Sequence, residues 1–264
     1  MNFGTFGFPK GSGLNFGLFG FNIIKPLWTP ANISTQLWLD AANSATLTNI
    51  LGNISQWNDQ SGNNRHVLQV NASERPLYAA NGLNGLPSLT FDGVDDYLTV
   101  GVINTQSTNT STFIVSQPSS TSVRGNTFKN GDANGYGIGY GSSTSDNFGN
   151  NFIYIREAIQ WHPASSYGGT LPNIVSSILG SSDIVNYLNG TNIQTISGIP
   201  IAPSGGTHIG GQRRFSGNIS EVIFCSSALS TTDRQKIEGY LAYKWGLIDN
   251  LPSDHTYKTV PPYI

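Results

Sequence analysis

The sequence predicts an all-β chain, an antiparallel sandwich of two packed sheets, with one α-helix near its end and an extended N-terminal arm. Three observations carry that prediction. Apolar runs are short and separated by turn residues, as strands require. Only 11% of the 264 residues are charged while 38% are apolar, including 13 Phe, 11 Tyr and 5 Trp. Gly and Pro number 31 and 13, too many for a helical bundle, whose faces need charged and Ala/Leu-rich stretches. The aromatic content supplies the apolar surface that a charged disordered chain lacks. The length suits one large sandwich.

Residues 1–26 stand apart from the rest. They hold an internal echo, Phe3-Gly-Thr-Phe-Gly-Phe8 and Phe16-Gly-Leu-Phe-Gly-Phe21, separated by the linker-like Pro9-Lys-Gly-Ser-Gly13. Glycine between aromatics weakens helix and strand alike, and so short a segment cannot bury six Phe by itself. One reading is a loose tail that folds back in part on its own domain. The reading preferred here is an anchor arm, in which Phe3, Phe6, Phe8, Phe16, Phe19 and Phe21 enter pockets on a partner.

From residue 27 to 264 the chain reads as one domain. Leu37-Trp-Leu39, Ser88-Leu-Thr-Phe91, Ser111-Thr-Phe-Ile-Val115, Phe152-Ile-Tyr-Ile155 and Ile219-Ser-Glu-Val-Ile-Phe224 are β-prone runs. Ile184-Val-Asn-Tyr-Leu188 precedes Asn189-Gly190, a strong hairpin signal because both turn positions tolerate positive φ. Gly135-Tyr-Gly-Ile-Gly-Tyr-Gly141 lacks the Lys-Ser/Thr ending of a phosphate loop. Its alternation predicts a Gly-rich strand with Tyr136, Ile138 and Tyr140 on one face. A helix is expected at about 231–245. Ser230 is its N-cap, Asp233 sits in its first turn, Ile237, Leu241 and Trp245 face the sandwich, and Gly246 stops it.

Several segments together resemble a known family. They are Leu37-Trp-Leu-Asp-Ala41, Trp57-Asn-Asp-Gln-Ser-Gly-Asn-Asn-Arg-His66, Asn81-Gly-Leu-Asn-Gly-Leu-Pro87 and Phe91-Asp-Gly-Val-Asp-Asp-Tyr-Leu98. Late in the chain come Gly217-Asn-Ile-Ser-Glu-Val-Ile223, Ala228-Leu-Ser-Thr-Thr-Asp-Arg234 and Ile237-Glu-Gly-Tyr-Leu-Ala-Tyr-Lys-Trp-Gly246. Their order and spacing resemble the laminin-G-like, concanavalin A-like jelly-roll modules of bacteriophage structural proteins and bacterial surface proteins. The resemblance covers about residues 27–263. It implies a jelly-roll sandwich that serves adhesion or glycan recognition rather than catalysis.

The net charge of −2 leaves no electrostatic footprint for nucleic acid and disfavours anionic membranes. No signal peptide or membrane-inserting segment is legible, so an exterior location would be reached by lysis or by assembly into a particle. The lone Cys225 excludes an internal disulfide framework and reads as a buried or boundary thiol. A glycosidase needs two carboxylates flanking the scissile bond. Glu74, Glu157, Glu221 and Glu238 each lack an acidic neighbour two positions away, although Asp residues could still converge in space. No His-x-x-x-His pair or Gly-x-Ser-x-Gly elbow occurs. No catalytic residue and no cofactor is therefore assigned. The turn holding Asp92, Asp95 and Asp96 reads first as Asx-turn chemistry, with a calcium site as the weaker alternative.

The stretch from about Arg124 to Gly169 offers aromatics among Gly, Asn and Ser. Tyr136, Tyr140, Trp161, His162 and Tyr167 are the glycan-binding candidates, with core filling as the competing reading. The expectation is a non-enzymatic virion structural, decoration or adhesion protein, anchored by its arm to other virion proteins of a capsid, neck or tail. Its sandwich would bind host-surface glycans or proteins. The alternative is a carbohydrate-active enzyme or a free surface lectin, extracellular or at the cell surface. Oligomeric state stays open, with a homo-oligomeric spike built around the arms as one option.

Overall fold

A computed structural model describes residues 25–101, 103, 109–120, 125–131, 136–143, 148–157, 160–166, 170–197, 206–211 and 214–264. The arm residues Phe3, Phe6, Phe8, Phe16, Phe19 and Phe21 lie outside this set, as does Tyr167.

All strand pairings are antiparallel and fall into two layers. The first is built from β1 (Thr35–Asp40), β5 (Leu77–Leu83), β6 (Leu86–Asp92), β8 (Thr110–Pro118), β13 (Asn173–Leu179), β14 (Asp183–Leu188), β15 (Thr191–Ser197) and β17 (Ser216–Cys225). Its order runs β15-β14-β13-β8-β17. The far edge of β17 is shared: β6 takes Ser216 to Ile219 and β1 takes Glu221 to Cys225, with β5 outside β6.

The second layer contains β2 (Leu47–Ile50), β3 (Asn53–Trp57), β4 (Val67–Leu68), β7 (Leu98–Val100), β9 (Gly125–Asn130), β10 (Tyr136–Ser143), β11 (Phe148–Glu157), β12 (Gln160–Ser166) and β16 (Thr207–Ile209). Its order is β2-β3-β4-β7-β16-β9-β10-β11-β12. A bridge between Asn53 and Leu77 links the layers at one edge.

Tight turns follow the sequence signals. Asn189 and Gly190 have φ of 49° and 81°, and Asn84 and Gly85 have 49° and 83°, the doubly positive backbone that closes a two-residue hairpin without splaying its strands. Trp57 is fully buried, and the Asp59 carboxylate beside it ties the next turn to β1. It accepts the N–H of Trp38 at 2.9 Å, of Ser61 at 2.9 Å and of Arg65 at 3.0 Å. Trp57 thus plugs the core, and Asp59 organises the polar turn that follows it.

Alternation along the strands sorts two cores. Leu37, Leu39, Leu89, Phe91, Ile114, Val175, Val222 and Phe224 join Trp57, Phe128, Ile138 and Ile209 between the layers. The alternate residues Phe113, Val115, Ile174, Ile223 and Cys225 point outward from the first layer, against α1 (Thr231–Lys244). Ile237, Leu241 and Trp245 are fully buried there, and burial of each aliphatic side chain stabilises by about 1.5–3 kcal/mol. The Ser230 hydroxyl accepts the Asp233 N–H at 3.1 Å, and Gly246 at φ 65° ends the helix. The helix thus matches expectation in place and burial.

A buried carboxylate fixes the helix on the sheet. Glu221 of β17 is fully buried, and four side chains donate to it. Trp38 Nε1 and the Tyr240 hydroxyl reach Oε1 at 2.7 and 2.9 Å. Lys244 Nζ and Trp245 Nε1 reach Oε2 at 2.7 and 2.6 Å. Lys244 also meets Asp40 at 2.7 Å. Burial pushes the Glu221 carboxyl up and the Lys244 ammonium pulls it back. A buried charge is tolerated only when paired and hydrogen-bonded in this way.

Candidate functional site

Tyr136 and Tyr140 require a correction. Both lie on β10 with Ile138 as the alternation predicted, but that face is the inner one, and they are 2% and 1% exposed. The Tyr140 hydroxyl meets Ser116 Oγ of β8 at 2.9 Å. Burial pushes both phenols upward. A sugar face cannot stack on rings enclosed between two sheets. Trp161 and His162 stand in β12, opposite Arg156 and Ile155 of β11. Their side chains lie outside the described residues.

A polar cleft sits elsewhere among the described residues, where the β6–β7 turn meets the loop after β16. It has a volume of about 280 Å³ and is lined by Glu74, Asp95, Asp96, Tyr97, His208, Gly211 and Arg214. Pairing of β16 with β7 sets His208 opposite Thr99 and so places it beside Tyr97. The two rings are tilted at 51° with centroids 6.1 Å apart. The Tyr97 N–H donates to the Glu74 carbonyl at 3.1 Å, which draws in the short turn carrying Glu74. The Arg214 guanidinium donates to the Val94 carbonyl and closes the rim. Gly211 forms the floor: a Cβ there would meet Tyr97 Cβ at 2.9 Å and His208 Cβ at 3.2 Å. Any larger residue would push the two rings apart.

The Asp turn behind this cleft follows Asx-turn chemistry. Asp92 Oδ1 accepts the N–H groups of Val94, Asp95 and Asp96 at 2.7, 3.2 and 3.4 Å. Asp96 Oδ2 accepts the Asp92 N–H at 2.9 Å. Burial pushes Asp92 up, but the three N–H donors outweigh it and hold the carboxyl below its ordinary range. Asp96 is 6% exposed. Burial, with the Asp92 and Asp95 charges beside it, pushes its carboxyl up to about 6. Carboxylate oxygens of Asp92, Asp95 and Asp96 lie within 4.8 Å of one another. Calcium takes six to eight oxygens, and two of these carboxylates already accept backbone donors, so the turn by itself falls short of a calcium cage.

Sequence reasoning singled out the Asp turn but passed over Tyr97, His208 and Arg214. Tyr97 could have been found, because it directly follows the Asp pair in the block that resembles the jelly-roll family. His208 and Arg214 are far from that block in sequence, and only strand pairing brings them to it. Cys225 is fully buried, and burial pushes its thiol up to about 12. Among the described residues, no helix is long and apolar enough to cross a membrane.

Domain 4 of a GH43 extracellular arabinanase from Geobacillus stearothermophilus, solved in complex with arabinotriose, is similar in fold. The TM-score is 0.55, with 15% identity over 75% of this chain and 95% of that one. The binding domain of botulinum neurotoxin serotype D gives a TM-score of 0.55 and 14% identity over 78% of this chain and 50% of that one. Trypanosoma rangeli sialidase gives 0.52 and 13% identity over 79% of this chain and 32% of that one. The chain thus spans about half the length of the toxin domain and a third of the sialidase. No protein-family model and no curated protein sequence matches the chain. The likeness is one of fold, the all-β sandwich that the sequence predicts.

Proposed function

We propose that this protein is a glycan-binding domain and that its ligand enters the cleft between Tyr97, His208 and Arg214. The carrying observation is the composition of that cleft. A partly exposed aromatic ring stands beside carboxylates, an imidazole and a guanidinium. Sugars pair an apolar ring face with hydroxyls that need both donors and acceptors, and this lining offers all three. The cleft lies in loops at the end of strands, where a rigid sandwich holds variable chemistry. Fold similarity to an arabinanase domain solved with arabinotriose and to a toxin binding domain supports the reading by analogy.

A glycan array probed with the full chain tests it. Binding to at least one glycan class is expected, weakened about tenfold or more by Tyr97→Ala or Arg214→Ala. An array without signal from a folded chain counts against glycan binding.

A second reading, glycoside hydrolysis, draws on one observation: Asp96, with its raised pKa, stands beside the Asp95 and Asp92 carboxylates, as an acid beside an ionised partner would. We favour binding because Asp96 turns its Oδ2 onto the Asp92 N–H rather than outward. Release of reducing sugar by wild type, lost in Asp96→Asn, would reverse that preference. The narrower proposal of a virion component anchored through residues 1–26 rests on the family resemblance and on the six Phe. Deleting residues 2–21 is expected to abolish association with the particle, and unchanged association would refute it.

A further inference from the structure

We infer that the second Phe/Gly copy, residues 16–21, docks on its own domain, in an apolar groove between α1 and the paired ends of the described chain. The groove has a volume of about 380 Å³ and is lined by Leu27, Trp28, Tyr240, Tyr243, Pro261 and Pro262, with Thr29 and Lys244 at its edge. The chain ends are tied together there. Leu27 bridges Tyr263, Trp28 N–H donates to the Pro262 carbonyl at 3.0 Å, and Ile264 N–H donates to the Pro26 carbonyl at 3.0 Å. Around the groove Leu27 is 59% exposed, Val260 51%, Tyr263 42% and Ile264 66%. Polar cover is nearly absent. Lys244 turns its ammonium inward to Glu221 and Asp40.

What covers this surface follows from where the described chain starts. Lys25 is its first residue, two positions before Leu27 in the groove wall. Upstream, beyond Asn22-Ile23-Ile24, lie Phe16, Phe19 and Phe21, each a ring that needs burial. Phe21 lies six positions before Leu27, a reach of up to roughly 20 Å at full extension. Tethering at so short a distance gives an effective concentration that a second molecule at ordinary dilution does not match. Each chain carries two Phe/Gly copies. With Phe16 to Phe21 seated at home, Phe3 to Phe8 is the copy left for a partner, which narrows the six-Phe anchor to its first three rings. This inference is independent of the glycan reading.

Chymotrypsin, which must take a Phe ring into its own pocket, reads the docking directly. Site-resolved cleavage of the full chain is compared with that of a synthetic peptide of residues 1–24. Cleavage after Phe16, Phe19 and Phe21 is expected to be about tenfold or more slower in the protein than in the peptide, because the protease samples only the undocked fraction. Cleavage after Phe3 and Phe6 should match the peptide, the Phe8–Pro9 bond being resistant to the protease in both. Leu27→Glu, at an exposed position that the fold tolerates, should bring the second copy level with the first. Tyr243→Ser serves as an independent groove variant, with thermal melting to show that each stays folded. Equal cleavage of both copies in the wild type overturns the proposal. Protection that fades on dilution also overturns it, since the occupant would then be a second molecule.

Discussion

Replacing Glu221 by Ala removes the carboxylate at which Trp38, Tyr240, Lys244 and Trp245 all aim. Lys244 keeps Asp40 at 2.7 Å, and the partly exposed Trp38 and Tyr240 can turn to water. Trp245 cannot, because its ring is fully buried. One orphaned buried donor costs about 1–3 kcal/mol. Adding the lost charge-assisted bonds brings the total to about 3–5 kcal/mol, the usual result of breaking a buried ion pair. In a domain of this size each kcal/mol moves Tm by about 2–4 °C, so a fall of roughly 10 °C is expected. Glu221→Gln keeps one acceptor but sets an amide N–H₂ against arriving donors, and should lose less, about 2 kcal/mol. Urea unfolding followed by tryptophan fluorescence measures both, with the slope unchanged if only stability has moved. A Glu221→Ala protein within about 1 kcal/mol of wild type would refute the claim that this carboxylate holds the helix to the sheet.

Two further outcomes follow from titration and burial. Asp96 has its folded carboxyl raised to about 6, so the folded state binds the extra proton between about pH 4 and 6. Its contribution is fully present below the unfolded pKa and is lost as pH rises through 6, by up to about 3 kcal/mol. Asp96→Asn, which can still accept the Asp92 N–H, should remove that part of the slope and be the more stable protein at pH 7. Parallel stability–pH curves for the two proteins would contradict this. Cys225, fully buried with its thiol pushed up to about 12, should react with an aromatic disulfide only as fast as the domain unfolds. Rapid labelling of the native protein would show a thiol reachable without unfolding.

The fold was legible because its signals are local. Asn189-Gly190, the Ser230 cap and the 3.6-residue spacing of Ile237, Leu241 and Trp245 each act within a few residues. The alternation of Tyr136, Ile138 and Tyr140 marks one face of a strand. Which face that was depends on β9 and β11 pairing on either side and on β8 and β13 packing across, none of which periodicity encodes. The same limit hid the cleft. Tyr97 and the Asp turn lie in one recognisable block, whereas His208 and Arg214 reach them only through the β7–β16 ladder. Glu221, isolated from other acids in sequence, lies opposite Asp40 through β1–β17 register. There the acid pair clamps a lysine under the helix instead of facing solvent.

The most direct measurement is calorimetric titration of the best array ligand into the full chain and three variants. Tyr97→Ala and Arg214→Ala alter the cleft, and Thr191→Ala alters an exposed position on β15, at the edge of the first layer and outside the cleft lining. Binding with a negative heat-capacity change is expected for wild type and Thr191→Ala, with about tenfold or greater loss for each cleft variant. Equal affinity in all four proteins would place the ligand elsewhere and contradict the assignment of the cleft.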